Sequence, residues 1–229
     1  MKSFFLILAT VVLCFSCSNS VEYSETFKKQ TTGDYLFNED DVIQVYYKEN
    51  TLFLNWRGGK LEPVAIKENE FFVADMYKKF WFVEHPETKK RYLSVKPENE
   101  NDKITYDYVK APNGYLTPSA HLEAGNYDKA LAGYLEIKKQ DSTSSFISER
   151  NFDRLGYKYS GNKEYEKAIK IFELNIALHP YSANVYDSMA QLRLVMGDSL
   201  QAYTNYKKAL EFNNGNKRAK KYVEDYKTR

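Results

Sequence analysis

Apolar and polar residues alternate along the segment from about residue 32 to 110. Ile43, Val45 and Tyr47 fall on one side of an extended chain, and this period of two is typical of a β-strand with one buried face. Glu49-Asn50 then provides a tight turn before the next apolar run. The strands predicted in this way are Val42–Lys48, Thr51–Arg57, Leu61–Ile66, Glu70–Asp75, Lys79–Glu84, Arg91–Lys96 and Lys103–Val109.

No helical pattern interrupts these strands, so we expect an antiparallel β meander. It would close into a small barrel or curl into a sandwich, because either form hides its edges. Its aromatic residues could line a ligand pocket or could pack as core and cross-strand pairs. Polar residues do not converge near these aromatics, so the sequence assigns no ligand site to them. They are Trp56, Phe80, Trp81 and Phe82.

A different period begins near residue 117. Small residues recur at Ala130, Ala168 and Ala202, at separations of 38 and 34 residues, and an aromatic residue follows each one four positions later. The spacing of 34 residues is the period of the tetratricopeptide (TPR) repeat, a pair of antiparallel helices. A small residue is needed where two helices approach, and a large one fills the space beside it. The aromatic residues are Tyr134, Phe172 and Tyr206.

The repeat pattern is complete in the middle and weaker at the start. Gly156 lies on the first helix of the middle unit, and Pro180 closes that unit. Pro112–Gly114 stands where the first helix of the first unit should begin, so we predict a shortened helix at Ser119–Glu123. Lys217–Tyr226 resembles the polar-faced capping helix of a solenoid. The fold class predicted is α+β with two domains, an antiparallel β domain at 32–110 and a TPR-like helical domain at 117–229.

The resemblance to TPR proteins also implies a binding face. Those proteins bind peptides in a groove lined mainly by the first helix of each unit, and in this sequence the matching positions are polar. Their spacings of three and four put them on one side of each helix. The alternative is a face that is merely solvated. The implied groove residues are Arg150, Asp153 and Tyr157 in the middle unit, and Asn184, Asp187 and Gln191 in the last.

The N-terminus resembles a bacterial lipoprotein signal. Lys2 is followed by an apolar run, Phe4–Phe15, which is too short to span a membrane comfortably. Leu13–Cys17 resembles a lipobox, with the small Ser16 before the cleavage site and Cys17 as the acylated residue. The competing interpretation is a segment that is simply cleaved or retained. We therefore predict a signal peptide at 1–16, lipidation at Cys17, a polar tether at 17–31, and a location in the bacterial cell envelope at the outer membrane.

Composition argues against other kinds of site. Lys plus Arg is 33 and Asp plus Glu is 31, so the net charge of +2 gives no basis for binding nucleic acid. Both cysteines, Cys14 and Cys17, lie in the first 17 residues, and the three histidines are scattered, so no metal site or cofactor is predicted. The acidic run Asn38–Asp41 lacks the ligand spacing of a calcium loop and is interpreted as a solvated turn.

A small β domain followed by these repeats resembles the C-terminal extension of serine hydrolases of the β-lactamase family in Bacteroidota, without their catalytic domain. Ser160–Lys163 matches Ser-x-x-Lys and Tyr203–Asn205 matches Tyr-x-Asn, but both lie inside the repeats and the third motif is absent. We therefore predict a non-enzymatic, lipid-anchored protein that binds a protein or peptide partner. The alternative is an accessory or degenerate relative of the hydrolases, which assists a separate catalytic protein or holds a small ligand in the β domain.

Overall fold

The computed structural model describes residues 21–99 and 101–228, and it places an antiparallel sheet before a series of helices. This confirms the α+β class with a β-rich first part and a helical second part. The first part contains helix α1 (Glu25–Thr31) and nine strands: β1 (Gly33–Leu36), β2 (Val42–Lys48), β3 (Thr51–Trp56), β4 (Gly59–Leu61), β5 (Val64–Lys67), β6 (Glu70–Val73), β7 (Lys78–Glu84), β8 (Arg91–Val95) and β9 (Tyr108–Lys110).

The nine strands form one antiparallel sheet in the order β4-β3-β2-β1-β9-β8-β7-β6-β5. β1 lies near the middle of the sheet, and β2 to β4 follow it outward to one edge. The chain then continues as β5 at the opposite edge, and β6 to β9 return to the middle, where β9 pairs with β1. Only Glu62 and Pro63 join the two edge strands, so those edges must lie close together and the sheet curls into a half-barrel. Pro63 cannot donate to a strand ladder, and the predicted strand Leu61–Ile66 is accordingly divided in two.

The inner face of this half-barrel is a continuous apolar core. Phe80 and Phe82 belong to it, which favours the packing interpretation of these aromatic residues over a ligand pocket. The indole N–H of Trp56 instead donates to Asp41 Oδ1 at 2.9 Å. The most deeply buried side chains of the core include Tyr35, Ile43, Val45, Leu54, Phe71 and Leu93.

Two further strands differ from the prediction. β1 was not predicted, because four residues with Gly33 and Asp34 among them carry too little apolar pattern. Lys103–Val109 is extended only from Tyr108, because Tyr106 has a positive φ of 52° that breaks a strand. Asp107 then holds this loop against β8, since its Oδ2 accepts from the Val95 N–H at 2.8 Å.

The predicted tether at 17–31 also differs from the structure in its described part. Tyr23 is only 5% exposed, and Phe27 of α1 meets Phe82 edge-on with ring centroids 5.7 Å apart. Ser24 caps α1 through a hydrogen bond from the Phe27 N–H. The segment is therefore helical and packed on the half-barrel, because its two aromatic rings contribute to the apolar core.

The second part consists of consecutive helix pairs. The first helices α4, α6 and α8 begin at equal intervals of 34 residues, and so do the second helices α5 and α7. α2 is a shortened first helix, as predicted, and it begins at Pro118, one residue before the predicted start, with Thr117 as its N-cap. The helices are α2 (Pro118–Glu123), α3 (Tyr127–Gln140), α4 (Glu149–Gly161), α5 (Tyr165–Leu178), α6 (Ala183–Val195), α7 (Ser199–Phe212) and α8 (Lys217–Lys227).

The small residues of the repeat lie where helices meet, as the sequence predicts. Ala130, Ala168 and Ala202 are all fully buried. At Gly156 of α4, a Cβ atom would lie 2.6 Å from the Phe172 ring of α5, so no larger residue fits without movement. These contacts define the close packing of each helix pair.

The loop between β1 and β2 joins the two parts of the molecule. The backbone C=O of Glu39 accepts from the Tyr115 hydroxyl at 2.8 Å, and the carboxylate of Asp40 accepts from the Ser119 N–H at 3.0 Å. Gln140 at the end of α3 donates to the Glu39 carboxylate at 3.0 Å. The acidic run Asn38–Asp41 is thus a structural joint rather than the solvated turn predicted.

Candidate functional site

The six predicted groove residues lie on two first helices, Arg150, Asp153 and Tyr157 on α4 and Asn184, Asp187 and Gln191 on α6. We call the surface they define the groove face. The equal spacing of α4 and α6 gives each residue an equivalent 34 positions along the chain.

Gln191 connects the two helices across the groove face. Its side-chain amide donates to the Tyr157 hydroxyl and to Asp187 Oδ2, each at 2.9 Å. The structure therefore brings three of the six predicted residues into one hydrogen-bonded chain.

Asp187 is a buried structural residue rather than an open contact site. Only 6% of it is exposed, and it accepts from Asn216 Nδ2 at 2.8 Å and from the Arg218 guanidinium. Both donors come from the start of α8, where Asn216 is the N-cap. The carboxylate thus fastens α8 to α6, and its hydrogen-bonding capacity is used within the chain.

Asp153 is half-buried and accepts from the Asn175 side-chain amide at 3.1 Å. Burial raises the pKa of the Asp153 carboxyl, and the negative charges of Glu149 and Asp187 act in the same direction. A hydrogen bond from Ser188 opposes this rise in pKa, as does the one from Asn175. The Asp153 carboxylate is therefore partly desolvated on the groove face, and its ionised form is less favourable than that of an aspartate in water.

The exposed part of the groove face consists of Tyr157, Arg150 and Asn184. Tyr157 is 41% exposed, and its ring meets Phe172 edge-on at 5.3 Å, which fixes its orientation. Arg150 and Asn184 are exposed, and within the described residues neither side chain has a hydrogen-bond or ion-pair partner. The structure brings neither of these two into the network around Gln191.

Sequence reasoning missed four residues that complete this region. Asn175 and Ser188 are buried polar residues beside Asp153, and Asn216 and Arg218 bind Asp187. One signal was available, because Arg218 follows Asn184 by 34 residues and so occupies the same repeat position on α8. The polar pattern of that region resembles a capping helix and does not indicate a contact with Asp187.

The remaining candidate chemistry lies elsewhere. Ser160 is in the last turn of α4, where its backbone C=O accepts from the Lys163 N–H at 2.9 Å, and Tyr203 of α7 stacks on Tyr226 of α8. Among residues 21–99 and 101–228, no three His, Cys, Asp or Glu side chains are grouped to hold a metal ion.

Residues 1–16 and Cys17, assigned to a signal peptide and a lipidation site, lie outside the described residues. Within the part of the chain that the structure covers, no helix has the length and apolar character needed to cross a membrane.

No protein-family model and no curated protein matches the chain. Among solved structures, it is similar to the first TPR domain of Spaghetti (RPAP3) bound to the HSP90 peptide SRMEEVD. The identity is 18%, the match covers 48% of this chain and 85% of that one, and the TM-score is 0.33.

Proposed function

We propose that this protein is a non-enzymatic, lipid-anchored component of the bacterial cell envelope that binds a segment of another protein on its groove face. The observation that carries the proposal is the set of three accessible side chains, Arg150, Tyr157 and Asn184, of which Arg150 and Asn184 have no partner within the described residues. Arg and Tyr are the residue types that most often dominate binding energies at protein interfaces.

The placement of these residues suits recognition of a partner. They lie on helices that both pack on Phe172, which meets Gly156 of α4 and shares an apolar cluster with Met189 and Leu192 of α6. A face built on rigid helices loses little conformational entropy on binding. Tyr157 in particular offers a large ring that is already oriented by Phe172 and Gln191.

Photo-crosslinking in cells tests the groove face directly. A photoreactive amino acid placed at Arg150 or at Asn184 should give one adduct of the same partner mass at both positions. The matched controls are Glu166 on α5 and Lys207 on α7, which are also exposed but lie on second helices. Adducts of equal yield at the control positions, or none at Arg150 and Asn184, would contradict the proposal.

The anchor is tested separately at Cys17. We expect Cys17→Ser to move the protein from the detergent phase to the aqueous phase on detergent partitioning, because the acyl chains that hold it in a bilayer are lost. Cys14→Ser is the matched control and should stay in the detergent phase. Partitioning that is unchanged in Cys17→Ser would rule out this site of lipidation.

A further inference from the structure

Asp153 and Asp187 occupy the same place in consecutive repeats. They lie 34 residues apart, one on α4 and the other on α6, and each carboxylate accepts a hydrogen bond from a side-chain amide. Each residue around Asp153 therefore has an equivalent around Asp187, 34 positions later in the chain.

Within residues 21–99 and 101–228, Asp187 pairs with a cation and Asp153 does not. The Arg218 guanidinium of the next first helix pairs with Asp187. The residue 34 positions before Arg218 is Asn184, which is neutral and exposed. Arg150 precedes Asp153 by one helical turn, but they form no ion pair. Asp153 is thus a partly buried carboxylate without an ion pair among the described residues, whereas Arg218 neutralises its repeat equivalent, Asp187.

A second observation, at Asn175 beside Asp153, indicates a missing hydrogen-bond donor. Asn175 is fully buried and directs its amide at Asp153, with Nδ2 donating both to that carboxylate and to the Glu149 C=O at 3.0 Å. Its Oδ1 is buried and has no hydrogen-bond partner in the part of the chain that the structure describes. Unpartnered buried acceptors are rare in folded proteins because they cost free energy. Asn175, which holds the Asp153 carboxylate, therefore has an amide oxygen that can accept a further hydrogen bond.

We propose that Asp153 and Asn175, together with the Tyr157 ring, form a site for one basic side chain, a Lys or an Arg, of the partner segment. The proposal rests on the proposed binding function of the groove face and names the chemistry that this face selects. The ligand's ammonium or guanidinium takes the place between α4 and α6 that Arg218 takes between α6 and α8. Tyr157 adds a ring beside the charge, and such cation–π contacts are favourable.

The test uses the full chain and three nonapeptide mixtures that differ only in the central residue, which is Lys, norleucine or Glu. Fluorescence anisotropy should show the Lys mixture binding about tenfold more tightly than the norleucine mixture, as expected for a charge-assisted hydrogen bond. Asp153→Asn, which keeps the shape of the side chain, should remove this preference. Urea unfolding of each variant checks that it is folded.

Asn184→Arg provides an independent test, because it places an internal cation at the repeat position of Arg218. We expect it to abolish the Lys preference and to raise the unfolding midpoint. Gln201→Arg is the matched control, because it adds the same charge at an exposed position of the second helix α7, and it should keep both the Lys preference and the unfolding midpoint. A Lys preference that survives in Asp153→Asn, or a preference for the Glu mixture, would overturn the proposed site.

The outcomes also separate this site from the broader function. If all three mixtures bind equally and Tyr157→Ala loses this binding, the groove face remains a binding surface. Only the proposed cation site is then overturned. Binding of no mixture at concentrations up to about 1 mM would overturn both.

Discussion

Asp187 has a different role from that expected of a groove residue. Its carboxylate lies where α6 and α8 meet and accepts hydrogen bonds from Asn216, Arg218 and Gln191. A buried carboxylate is stable only when its charge is paired and its oxygens accept hydrogen bonds, and all three donors meet that need. At the scale of single residues, Asp187 therefore holds the helices together, whereas Asp153 keeps an unneutralised charge for a ligand.

Arg218→Ala should destabilise the helical part by about 1–3 kcal/mol, because it leaves the Asp187 carboxylate buried without its cation. Urea unfolding followed by circular dichroism measures this change. Lys217→Ala is the matched control, since Lys217 is an exposed neighbour on the same helix and has no ion pair among the described residues. Equal effects of the two substitutions would show that the ion pair contributes nothing.

At the scale of elements, close helix contact depends on one glycine in α4. Gly156 faces the Phe172 ring of α5, and that ring also supports Tyr157 of the groove face. The packing of one helix pair thus sets the position of an accessible binding residue. A change at this contact should affect both stability and binding.

Gly156→Ala should lower the free energy of unfolding by about 1–3 kcal/mol, because the added methyl group forces the Phe172 ring to move. Gly161→Ala is the matched control in the same helix, where nothing lies within 4 Å of an added Cβ. Removing a helical glycine there should be neutral or stabilising by up to about 1 kcal/mol. Chemical denaturation of both variants measures the difference, and a stable Gly156→Ala protein would refute this account of the contact.

At the scale of the whole molecule, the loop Asn38–Asp41 connects the half-barrel to the helices. Asp40 faces Ser119 of α2, whereas the neighbouring Asp41 faces the sheet and pairs with Arg57 at 2.6 Å. Two adjacent carboxylates therefore serve different parts of the fold. The other end of β2 is held by Asn50, whose side chain bonds to Tyr23 and to Val21.

Asp40→Ala should loosen the joint with little effect on either part alone. We expect faster proteolysis in the connection Ala111–Thr117, because the hydrogen bonds from Ser119 are lost, at a cost of about 1 kcal/mol. Limited proteolysis with mass spectrometry identifies the cleavage site. Asp75→Ala is the matched control, since Asp75 is exposed and distant in sequence from the joint. An unchanged cleavage rate would indicate that other contacts hold the two parts together.

Local periodicity accounts for the features that could be predicted correctly from the sequence. The alternation of β2 and β3 and the spacing of 34 residues between helices follow from which side of an element is buried, and that information lies within a few neighbouring residues. Four strands and the shortened α2 could therefore be predicted closely, as could the buried alanines. Polar residues on one face of α4 and α6 were found for the same reason.

Contacts between groups that lie far apart in the sequence depend on how the elements pack together. Three such contacts join residues that are 31 to about 79 positions apart. They are the pairing of β1 with β9, the joint at Asp40, and the ion pair of Asp187 with Arg218. No local pattern records such contacts, because a polar residue has the same periodicity whether it faces water or a buried partner. The contrast between Asp187 and Asp153 rests on this point, since neither their type nor their spacing distinguishes the neutralised carboxylate from the open one.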